Sequence, residues 1–596
     1  MQQDSLNSEN ELLDLGSLPT QLAKSGSRMN RTGMRFAPLA YRDGLARLRQ
    51  VQLRNEGDIH MGQILARNSN GRVLAAVLLA LPLVMCATAS AQIYTDIHDF
   101  LYSDGSSPSY PQVMAQGRDG NLYGTTPAGG LARGGVMFRM TPDGILTPLF
   151  NFGGSTGSEP YSGLTLGLDG NFYGTTVLGG VNNLGEIFQM TPDGFLTVLY
   201  SFTGGSDGAY PYATPVLGND GNFYGLTKSA TAYRITPAGV FTLLGSIPGQ
   251  SFAPLILGTD GNFYGTTQHG GAFNQGTVFA MTPAGTVKII YSFDSSAHGG
   301  VPWGGVVQAG NYLFGTTSDG GSGNGGVVFR LTPSGNLAVI HNFPEGSQND
   351  GSDPQAGLLF ATDGTFYGST FFGGTDDFGV LFKIGPTGQQ YSFIYQFDKL
   401  TGEYSSSSLV QHTNGSVYGM AQGGGQNQGV VFSLALNLGA RVKPLLSTGK
   451  VGSVVQILGS GFTGATLVNF KGASVVPNVI SDTFLIARVP SRAQSGTLSV
   501  VTPTGTIPSM SPFLVVPMIV SFSPTSGPVG TPVVITGNSF TGATKVTFGG
   551  VSATSFTVNS NTQITAIVPK GARTGKIGLT APGGTAKSSG IFTVTG

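Results

Sequence analysis

The chain carries little charge and almost no cysteine or tryptophan. Among its 596 residues there are one cysteine and one tryptophan, and charged residues make up 10% of the total with a formal net charge of zero. Without a basic excess, we expect no nucleic-acid partner and no attraction to an anionic membrane surface. The sequence also has no His-Glu-x-x-His pair and no phosphate-binding loop ahead of a helix. We therefore predict no catalytic residue and no cofactor.

The apolar run nearest the amino terminus is too short for a comfortable membrane span. Arg72 precedes the apolar residues 73–85, and the small residues Ala89-Ser90-Ala91 follow. A span needs about 20 residues, whereas a basic flank, a short apolar run and a small-x-small site are typical of a secretory signal peptide. We predict a signal peptide over 61–91 and a secreted or cell-surface protein with no membrane span after cleavage. An uncleaved anchor is the competing interpretation.

Residues 1–60 are polar, arginine-rich and without hydrophobic periodicity, which predicts a disordered leader. If translation starts at Met61, this leader is not made. The only cysteine of the sequence, Cys86, falls in the signal segment. After cleavage the chain would have no disulfide, so large β cores would have to supply its stability.

A five-residue motif recurs seven times through the middle of the chain. Its second copy reads Phe172-Tyr173-Gly174-Thr175-Thr176. Repeats of roughly 40–50 residues are typical of propellers and other repeat architectures. The copies occupy residues 122–126, 172–176, 223–227, 263–267, 313–317, 366–370 and 417–421.

Each repeat contains the turns expected of four short antiparallel strands. In the second unit, Asp169-Gly170 joins two alternating apolar segments, and Thr191-Pro192-Asp193-Gly194 joins two more. Four such strands make a propeller blade, and propellers have about 4–8 blades. The seventh unit lacks a fourth strand, whereas residues 93–100 resemble one. We predict that this segment completes the seventh blade and closes the ring, leaving no exposed sheet edge.

The predicted fold is all-β. A seven-bladed β-propeller covers residues 92–438, and two immunoglobulin-like β-sandwiches cover 440–515 and 516–596. The sandwich prediction comes from an internal repeat, in which Gly461-Phe462-Thr463-Gly464-Ala465-Thr466 returns as Ser539-Phe540-Thr541-Gly542-Ala543-Thr544. A unit of about 80 residues with short strands and frequent turns fits this architecture.

Two family resemblances follow from these motifs. The pattern Asp-Gly-Asn-Phe-Tyr-Gly-Thr-Thr, with Gly-x-Val-Phe-x-Met-Thr-Pro-x-Gly and Leu-Tyr-Ser-Phe, resembles the GloVer tandem repeat of secreted bacterial proteins. The segment Ser523-Pro524-Thr525-Ser526-Gly527-Pro528-Val529-Gly530 resembles an IPT/TIG domain, and residues 440–515 are a weaker match. The first resemblance implies no enzymatic activity, and the second implies spacer or interaction modules.

Loop lengths predict which face of the propeller carries function. The turns between strands 1 and 2 and between strands 3 and 4 are short and uniform, so they lie on one face. The strand 2–3 loops and the blade-to-blade loops are longer and variable, and function sits preferentially on such loops. In the third unit the strand 2–3 loop shrinks to about residues 228–230, which predicts a notch in that rim beside blades three and four.

Aromatic and acidic residues of the variable face are the candidate ligand-binding residues. Aromatic rings fill cores more often than they bind ligands, so we expect most of them to pack between blades, with Trp303 as the exception. The segment Asn349-Asp350-Gly351-Ser352-Asp353 offers oxygen ligands to calcium but lacks the full spaced loop and its closing glutamate, so we predict no metal. The candidate residues are Trp303, His298, Tyr161, Tyr212, Asp207, Asp350 and Asp353.

Three functions remain open at the level of sequence. The leading hypothesis is a binding or adhesion protein that recognises a glycan or a protein on the variable-loop face. The second is an extracellular carbohydrate-active enzyme, a lyase or hydrolase, with its site in the axial pocket, which would need two convergent titratable groups. The third is a structural surface protein without a small ligand. The sequence favours a non-enzyme.

Overall fold

The computed structural model describes residues 93–110 and 113–596 and confirms the all-β prediction. The predicted leader, the start at Met61 and the signal peptide lie outside the described residues. Within the described part, regular helix is limited to one 3₁₀ turn, Gly154–Thr156. In that same part, no helix is long and apolar enough to cross a membrane.

Residues 94–434 form seven four-stranded antiparallel sheets, which we call sheets 1 to 7 in the order of the repeats. The first strand, β1, is Tyr94–Asp99, and it is described below with sheet 7. Sheet 1 has β2 Ala115–Gln116, β3 Leu122–Thr126, β4 Val136–Met140 and β5 Leu146–Asn151; sheet 2 has β6 Thr165–Leu166, β7 Phe172–Thr176, β8 Glu186–Met190 and β9 Leu196–Ser201; sheet 3 has β10 Val216–Leu217, β11 Phe223–Leu226, β12 Thr231–Ile235 and β13 Phe241–Ser246.

The other sheets continue the same pattern. Sheet 4 has β14 Ile256–Leu257, β15 Phe263–Thr267, β16 Thr277–Met281 and β17 Val287–Ser292; sheet 5 has β18 Val307–Ala309, β19 Tyr312–Thr317, β20 Asn324–Leu331 and β21 Leu337–Pro344; sheet 6 has β23 Leu359–Phe360, β24 Phe366–Ser369, β26 Val380–Ile384 and β27 Ser392–Gln396; sheet 7 has β28 Val410–Gln411, β29 Val417–Ala421 and β30 Val430–Leu434 with β1. A small hairpin-like pair, β22 Gly351–Ser352 and β25 Phe372–Gly373, lies beside sheet 6.

The first strand of the described chain closes sheet 7, as the sequence pattern predicted. Strand β1 pairs antiparallel with β30, with Tyr94 opposite Leu434 and Asp99 opposite Val430. Sheets 1 and 7 also share a hydrophobic core, in which Phe138 of sheet 1 and Val431 of sheet 7 are both fully buried. The first and last repeats are therefore joined by backbone hydrogen bonds and by a common core.

The motif glycine is explained by an aromatic ring on the next strand. A Cβ built on Gly174 would lie 2.6 Å from Cζ of Phe188, which stands directly opposite it in the ladder. Real Cβ atoms do not approach that closely, so only glycine admits the buried ring. The same approach, at 2.2–2.8 Å, occurs at Gly124, Gly225, Gly265, Gly315, Gly368 and Gly419.

The aromatic residues of the motif join consecutive sheets. The ring of Tyr173 in sheet 2 stacks on Phe223 of sheet 3 with centroids 3.8 Å apart, and Tyr123 stacks on Phe172 at 4.1 Å. The Tyr173 hydroxyl donates to Asp169 of its own strand 1–2 turn at 2.8 Å. Stacked rings add stabilisation beyond the apolar area that they bury. The recurrent aspartate therefore holds a turn and an inter-sheet ring in place.

Residues 443–594 form two further pairs of sheets with the same strand order. The first pair is β31 Lys443–Pro444, β33 Val454–Leu458, β37 Phe484–Arg488 and β36 Asn478–Ser481, facing β32 Thr448–Gly449, β39 Gly505–Val515, β38 Gln494–Thr502, β34 Leu467–Lys471 and β35 Ala473–Val475; the second is β40 Met518–Ser523, β42 Pro532–Asn538, β46 Gln563–Ile567 and β45 Phe556–Ser560, facing β41 Ser526–Gly527, β48 Gly584–Val594, β47 Gly575–Ala581, β43 Lys545–Phe548 and β44 Val551–Ser552. Each pair encloses its own apolar core.

The first of these sheet pairs, which we call the first sandwich, packs on the strand 1–2 turns of the repeats. The Thr483 hydroxyl donates to the carbonyl of Arg118 at 2.6 Å, and Arg118 in turn donates to the Gln456 side chain at 2.8 Å. The Ser447 hydroxyl donates to the Asn219 side chain at 3.1 Å. Because successive strands alternate in direction, the strand 2–3 loops lie on the opposite side and remain uncovered by this sandwich.

Candidate ligand-binding site

The segment that leads into the first strand of each sheet, here called its entry segment, lies on the same side as the strand 2–3 loop. Isolated backbone bridges join the two: Ser158 of the segment before sheet 2 pairs with Leu178, and Glu403 before sheet 7 pairs with Gly423. The variable parts of each repeat are thus held together at one end of the sheets. Their first strands run from this end toward the first sandwich.

Motif threonines fix the entry segments in position. The Thr125 hydroxyl of sheet 1 donates to the Ser162 carbonyl at 2.6 Å, and Thr175 of sheet 2 donates to the Pro211 carbonyl at 2.6 Å. In sheet 4, Thr266 donates to the Gly304 carbonyl at 3.0 Å. These buried bonds run from one repeat to the next, and each ends beside an aromatic residue of an entry segment. The motif therefore positions Tyr161, Tyr212 and Trp303 as well as folding the sheets.

Five entry-segment rings meet in one group, which we call the aromatic cluster: Tyr110, Tyr161, Tyr212, Phe252 and Trp303. The Tyr110 ring lies 4.7 Å from Tyr161, 5.2 Å from Tyr212, 5.9 Å from Phe252 and 5.8 Å from Trp303. Since these residues come from five different repeats, Tyr110 occupies the point at which their entry segments converge. Its backbone N–H donates to the Ser406 hydroxyl of sheet 7 at 3.0 Å, which links the cluster to a sixth repeat.

The cluster offers ring surface to solvent. Tyr110, Tyr161, Tyr212 and Trp303 are each partly exposed, whereas Phe252 is 7% exposed and acts as a floor. Phe252 contacts Tyr212 at 4.9 Å and Trp303 at 5.2 Å. A group of rings that is packed at its base and open above presents rigid apolar faces at little further entropic cost.

One cation, Lys228, lies beside the aromatic cluster in the short strand 2–3 loop of sheet 3. The ammonium of Lys228 is 5.7 Å from the ring centroids of both Tyr212 and Phe252, within range of a cation–π interaction. Only residues 227–230 connect β11 to β12, whereas nine residues, 177–185, connect β7 to β8. The short connection places Lys228 directly against the rings, with no long loop above it.

An acidic group borders the same rings. Burial and the nearby Glu159 carboxylate together raise the pKa of Tyr161 to about 12, and burial raises the pKa of Tyr212 to about 12 with contributions from its tyrosine neighbours and Glu159. All three cluster tyrosines therefore keep their protons at neutral pH, since the pKa of Tyr110 is raised as well. They act as neutral hydroxyl donors beside one cation and one carboxylate.

The structure brings three of the predicted site residues, Trp303, Tyr161 and Tyr212, into the aromatic cluster. Tyr110, Phe252 and Lys228 were not among the predicted site residues. Phe252 stands three residues before the buried Leu255, and Trp303 stands three residues before the buried Val306. This shared spacing could have identified Phe252 as a candidate. Lys228 could not be found this way, because its role depends on the shortened loop.

The acidic residues among the predicted site residues make local contacts. Asp207 accepts hydrogen bonds from the Thr203 hydroxyl at 2.6 Å and the Tyr200 hydroxyl at 3.0 Å; burial opposes ionisation, but these bonds leave its pKa below the usual value. Asp350 accepts from the Tyr391 hydroxyl and lies 3.1 Å from His341 Nε2. Asp207 therefore holds its own loop, and Asp350 links its loop to strand β21 of sheet 5 and to the residue that precedes strand β27 of sheet 6.

The other two predicted residues lie elsewhere. His298 is exposed, and its ring approaches Tyr291 of strand β17 at 6.3 Å rather than the cluster. Asp353 belongs to the entry segment of sheet 6, where it accepts from the Gln355 side chain at 2.9 Å. Burial raises the pKa of Asp353 to about 6, Gln355 lowers it and Asp319 raises it further. No group of three or more potential metal ligands occurs within the residues that the structure covers.

Comparison with protein families gives two matches. A model described as the Gloeobacter/Verrucomicrobia repeat matches residues 81–235 and 227–432, and a model described as the IPT/TIG domain matches 517–595. No curated protein matches the chain. Together the two repeat matches cover more than half of the sequence.

Among solved structures, two similar chains are a surface glycan-binding protein from a xyloglucan utilisation locus of Bacteroides uniformis and PorZ, a surface component of the type-IX secretion system of Porphyromonas gingivalis. The first is 23% identical over 26% of this chain and 48% of its own, with a TM-score of 0.14. The second is 13% identical over 70% of this chain and 61% of its own, with a TM-score of 0.37. This chain thus spans about half to three fifths of their lengths, and at these TM-scores neither defines its fold or its ligand.

Proposed function

The chain belongs to the Gloeobacter/Verrucomicrobia repeat family and carries an IPT/TIG domain. We propose that it is an exported glycan-binding protein whose ligand stacks on the aromatic cluster. The observation that carries the proposal is the convergence of five rings from five repeats, with four of them open to solvent. Binding sites are typically aromatic surfaces with a few polar groups that fix orientation. Here those groups are the tyrosine hydroxyls, Lys228 and Glu159.

The proposal includes an arrangement of domains. The seven sheets are the blades of a β-propeller over 92–438, closed by the pairing of β1 with β30, and the aromatic cluster lies where its axis opens on the variable-loop face. Residues 440–515 and 516–596 are two sandwich domains, of which the first packs on the opposite face. This arrangement leaves the cluster free for a ligand, while the sandwiches hold it away from a surface. Export follows from the predicted signal peptide at 61–91.

Sugars fit this site better than a flat, charged ligand would. The C–H faces of a pyranose ring are apolar and match an aromatic face, while its hydroxyls need donors and acceptors at the ring edge. Tyr161 and Tyr212 offer both functions, because a neutral phenol hydroxyl both donates and accepts hydrogen bonds. A protein segment bound at the same cluster is the alternative ligand, and the experiment below separates the two.

The test begins with a glycan array probed with the secreted chain, followed by titration calorimetry with the best glycan. Trp303→Ala should weaken binding at least about two- to tenfold, because one aromatic stacking contact is worth about 0.5–1.5 kcal/mol even before the apolar area that it buries is counted. Phe195→Ala is the matched control, since Phe195 is 75% exposed and is not part of the cluster. Binding that is unchanged in Trp303→Ala would remove the cluster from the site, and an empty array would favour a protein ligand or a structural role.

A carbohydrate-active enzyme is the second candidate, and one observation favours it. The carboxyl of Asp353 has a pKa raised to about 6, mainly by burial, and the nearby Asp319 carboxylate contributes to the shift. A carboxyl that titrates near neutrality suits general acid or base chemistry. If the best glycan is cleaved and Asp353→Asn abolishes cleavage without weakening binding, this candidate replaces the binding protein.

A further inference from the structure

Two cations stand close together where the chain enters the first sandwich. Arg441 and Lys443 are two residues apart on either side of the buried Val442. Lys443 opens β31 and pairs with Leu458, so its position is set by the sheet. The Arg441 guanidinium donates to the Gln411 carbonyl of sheet 7 and lies 3.6 Å from Met510 Sδ, while its Nε atom is buried without a partner. Both cations therefore lie where the sandwich meets the repeats.

Neither cation has a carboxylate partner. Across residues 93–110 and 113–596, the two side-chain ion pairs within 4.0 Å are His98–Asp104 and His341–Asp350. Arg441 is partly buried, and a charged side chain that is withdrawn from water is ordinarily paired, because an isolated charge loses its hydration without compensation. Burial lowers the pKa of Arg441 to about 10.

Both cations line a cavity of about 280 Å³ between sheets 3 and 4 and the first sandwich. Its wall also contains the hydroxyl residues Ser447 and Ser511 and the amide of Asn219. Lys443 borders a second cavity of about 280 Å³ as well, where the hydroxyl of Thr214 is buried without a partner. Lys443 itself is exposed, so an ion can reach it from solvent, and both cavities have that residue in their walls. The cavity that both cations line is large enough for a small molecule. Its wall contains hydrogen-bond donors but no carboxylate.

We propose that this cavity is an anion site, in which a small oxyanion such as a carboxylate is held by Lys443 and Arg441 and bridges the repeats to the first sandwich. Two adjacent cations, with the Ser511 hydroxyl and the Asn219 amide beside them, match the several acceptor atoms of one oxyanion. The bound anion would supply the missing negative charge and would stabilise the interface that the sandwich makes with sheets 3, 4 and 7. This site is separate from the aromatic cluster, which lies at the opposite end of the sheets.

The proposal is tested by thermal unfolding of the full chain in sodium acetate, sodium sulfate or sodium chloride at equal ionic strength. A ligand that binds only the folded state raises the melting temperature, and the increase grows with the logarithm of the ligand concentration once that concentration exceeds Kd. We expect acetate and sulfate to raise it by at least about 2 °C over chloride. Acetate acting alone would identify a carboxylate as the ligand, and sulfate acting alone would identify a tetrahedral oxyanion.

Two variants separate the site from general salt effects, since sulfate stabilises most proteins by exclusion from their surface. Lys443→Met should lose at least half of the increase, whereas Lys450→Met, an exposed lysine of the same sandwich, should keep it. Titration calorimetry of acetate and sulfate into the unmodified chain checks binding directly, even if Lys443→Met folds poorly. An equal increase in Lys443→Met and Lys450→Met, or no heat and no increase in the unmodified chain, would overturn the proposal.

Discussion

Replacing Tyr94 tests whether the first strand holds the repeat array closed. Its ring is 2% exposed and stacks on Tyr395 with centroids 3.9 Å apart and planes 6° apart. It also contacts Phe432 at 5.1 Å and Phe397 at 6.0 Å. These four rings belong to sheets 6 and 7, so Tyr94 ties the amino-terminal strand to both.

The expected cost of Tyr94→Ala follows from these contacts. Truncating a buried aromatic side chain to alanine costs about 3–5 kcal/mol, and the hydroxyl bond to the Thr401 carbonyl adds about 1 kcal/mol. Tyr94→Phe should therefore cost only about 1 kcal/mol. If the urea dependence is about 3 kcal/mol per molar, Tyr94→Ala lowers the unfolding midpoint by more than about 1 M.

The single tryptophan makes the assay selective. Trp303 lies in the entry segment of sheet 5, so its fluorescence reports unfolding of the repeats and not of the sandwiches. Ile93→Ala is the control, because Ile93 is 41% exposed and uses only its backbone carbonyl, which accepts from Ala435. A midpoint for Tyr94→Ala within about 0.2 M of that control would refute the closure by β1.

Three further predictions concern the repeat itself. Tyr173→Phe should lower the free energy of unfolding in urea by about 1 kcal/mol, because its hydrogen bond to Asp169 is lost. Phe314 is the equivalent residue in a repeat whose strand 1–2 turn has no aspartate, so Phe314→Tyr should not raise that free energy. A rise would contradict the role given to the tyrosine–aspartate hydrogen bond. Gly174→Ala should cost at least about 1–3 kcal/mol, since its Cβ would lie 2.6 Å from Phe188, and a neutral result would show that the ring can move. Asp353 has a folded-state pKa raised from 3.8 to about 6, so the folded chain binds more protons there, and its stability should fall as pH rises from about 4 to 6; Asp353→Asn should flatten that part of the stability–pH curve, and an unchanged slope would contradict the shift.

Much of the architecture could be predicted from the motif, because each of its residues has a fixed structural task. Gly174 is required by the ring of Phe188, Tyr173 by its stack on Phe223 and its bond to Asp169, and Thr175 by the next entry segment. A structural requirement that recurs in every repeat makes the same residue type recur at a fixed spacing in the sequence. The match between residues 93–100 and a missing fourth strand is such a trace, and the pairing of β1 with β30 agrees with it.

The candidate site could be predicted only in part. Trp303, Tyr161 and Tyr212 were noticed because they are aromatic and stand at similar positions, but each alone is equally consistent with packing. Their convergence depends on Tyr110, whose backbone has φ 68° and whose ring reaches the residues of four other repeats. The acidic residues Asp207 and Asp350 illustrate the opposite case, since loop aspartates that resemble ligands make local hydrogen bonds instead.

The sequence by itself determined the repeat, its strands and the turns between them, because these depend on contacts between residues close in the chain or one repeat apart. The tertiary structure alone decided which side chains from distant repeats share a site. The five rings of the aromatic cluster span residues 110–303, and Lys443 lines a cavity together with Leu217 of sheet 3, which stands more than 200 residues earlier in the chain. Contacts between residues so far apart in the sequence depend on how the sheets and the first sandwich pack in three dimensions, and no local sequence pattern predicts that packing.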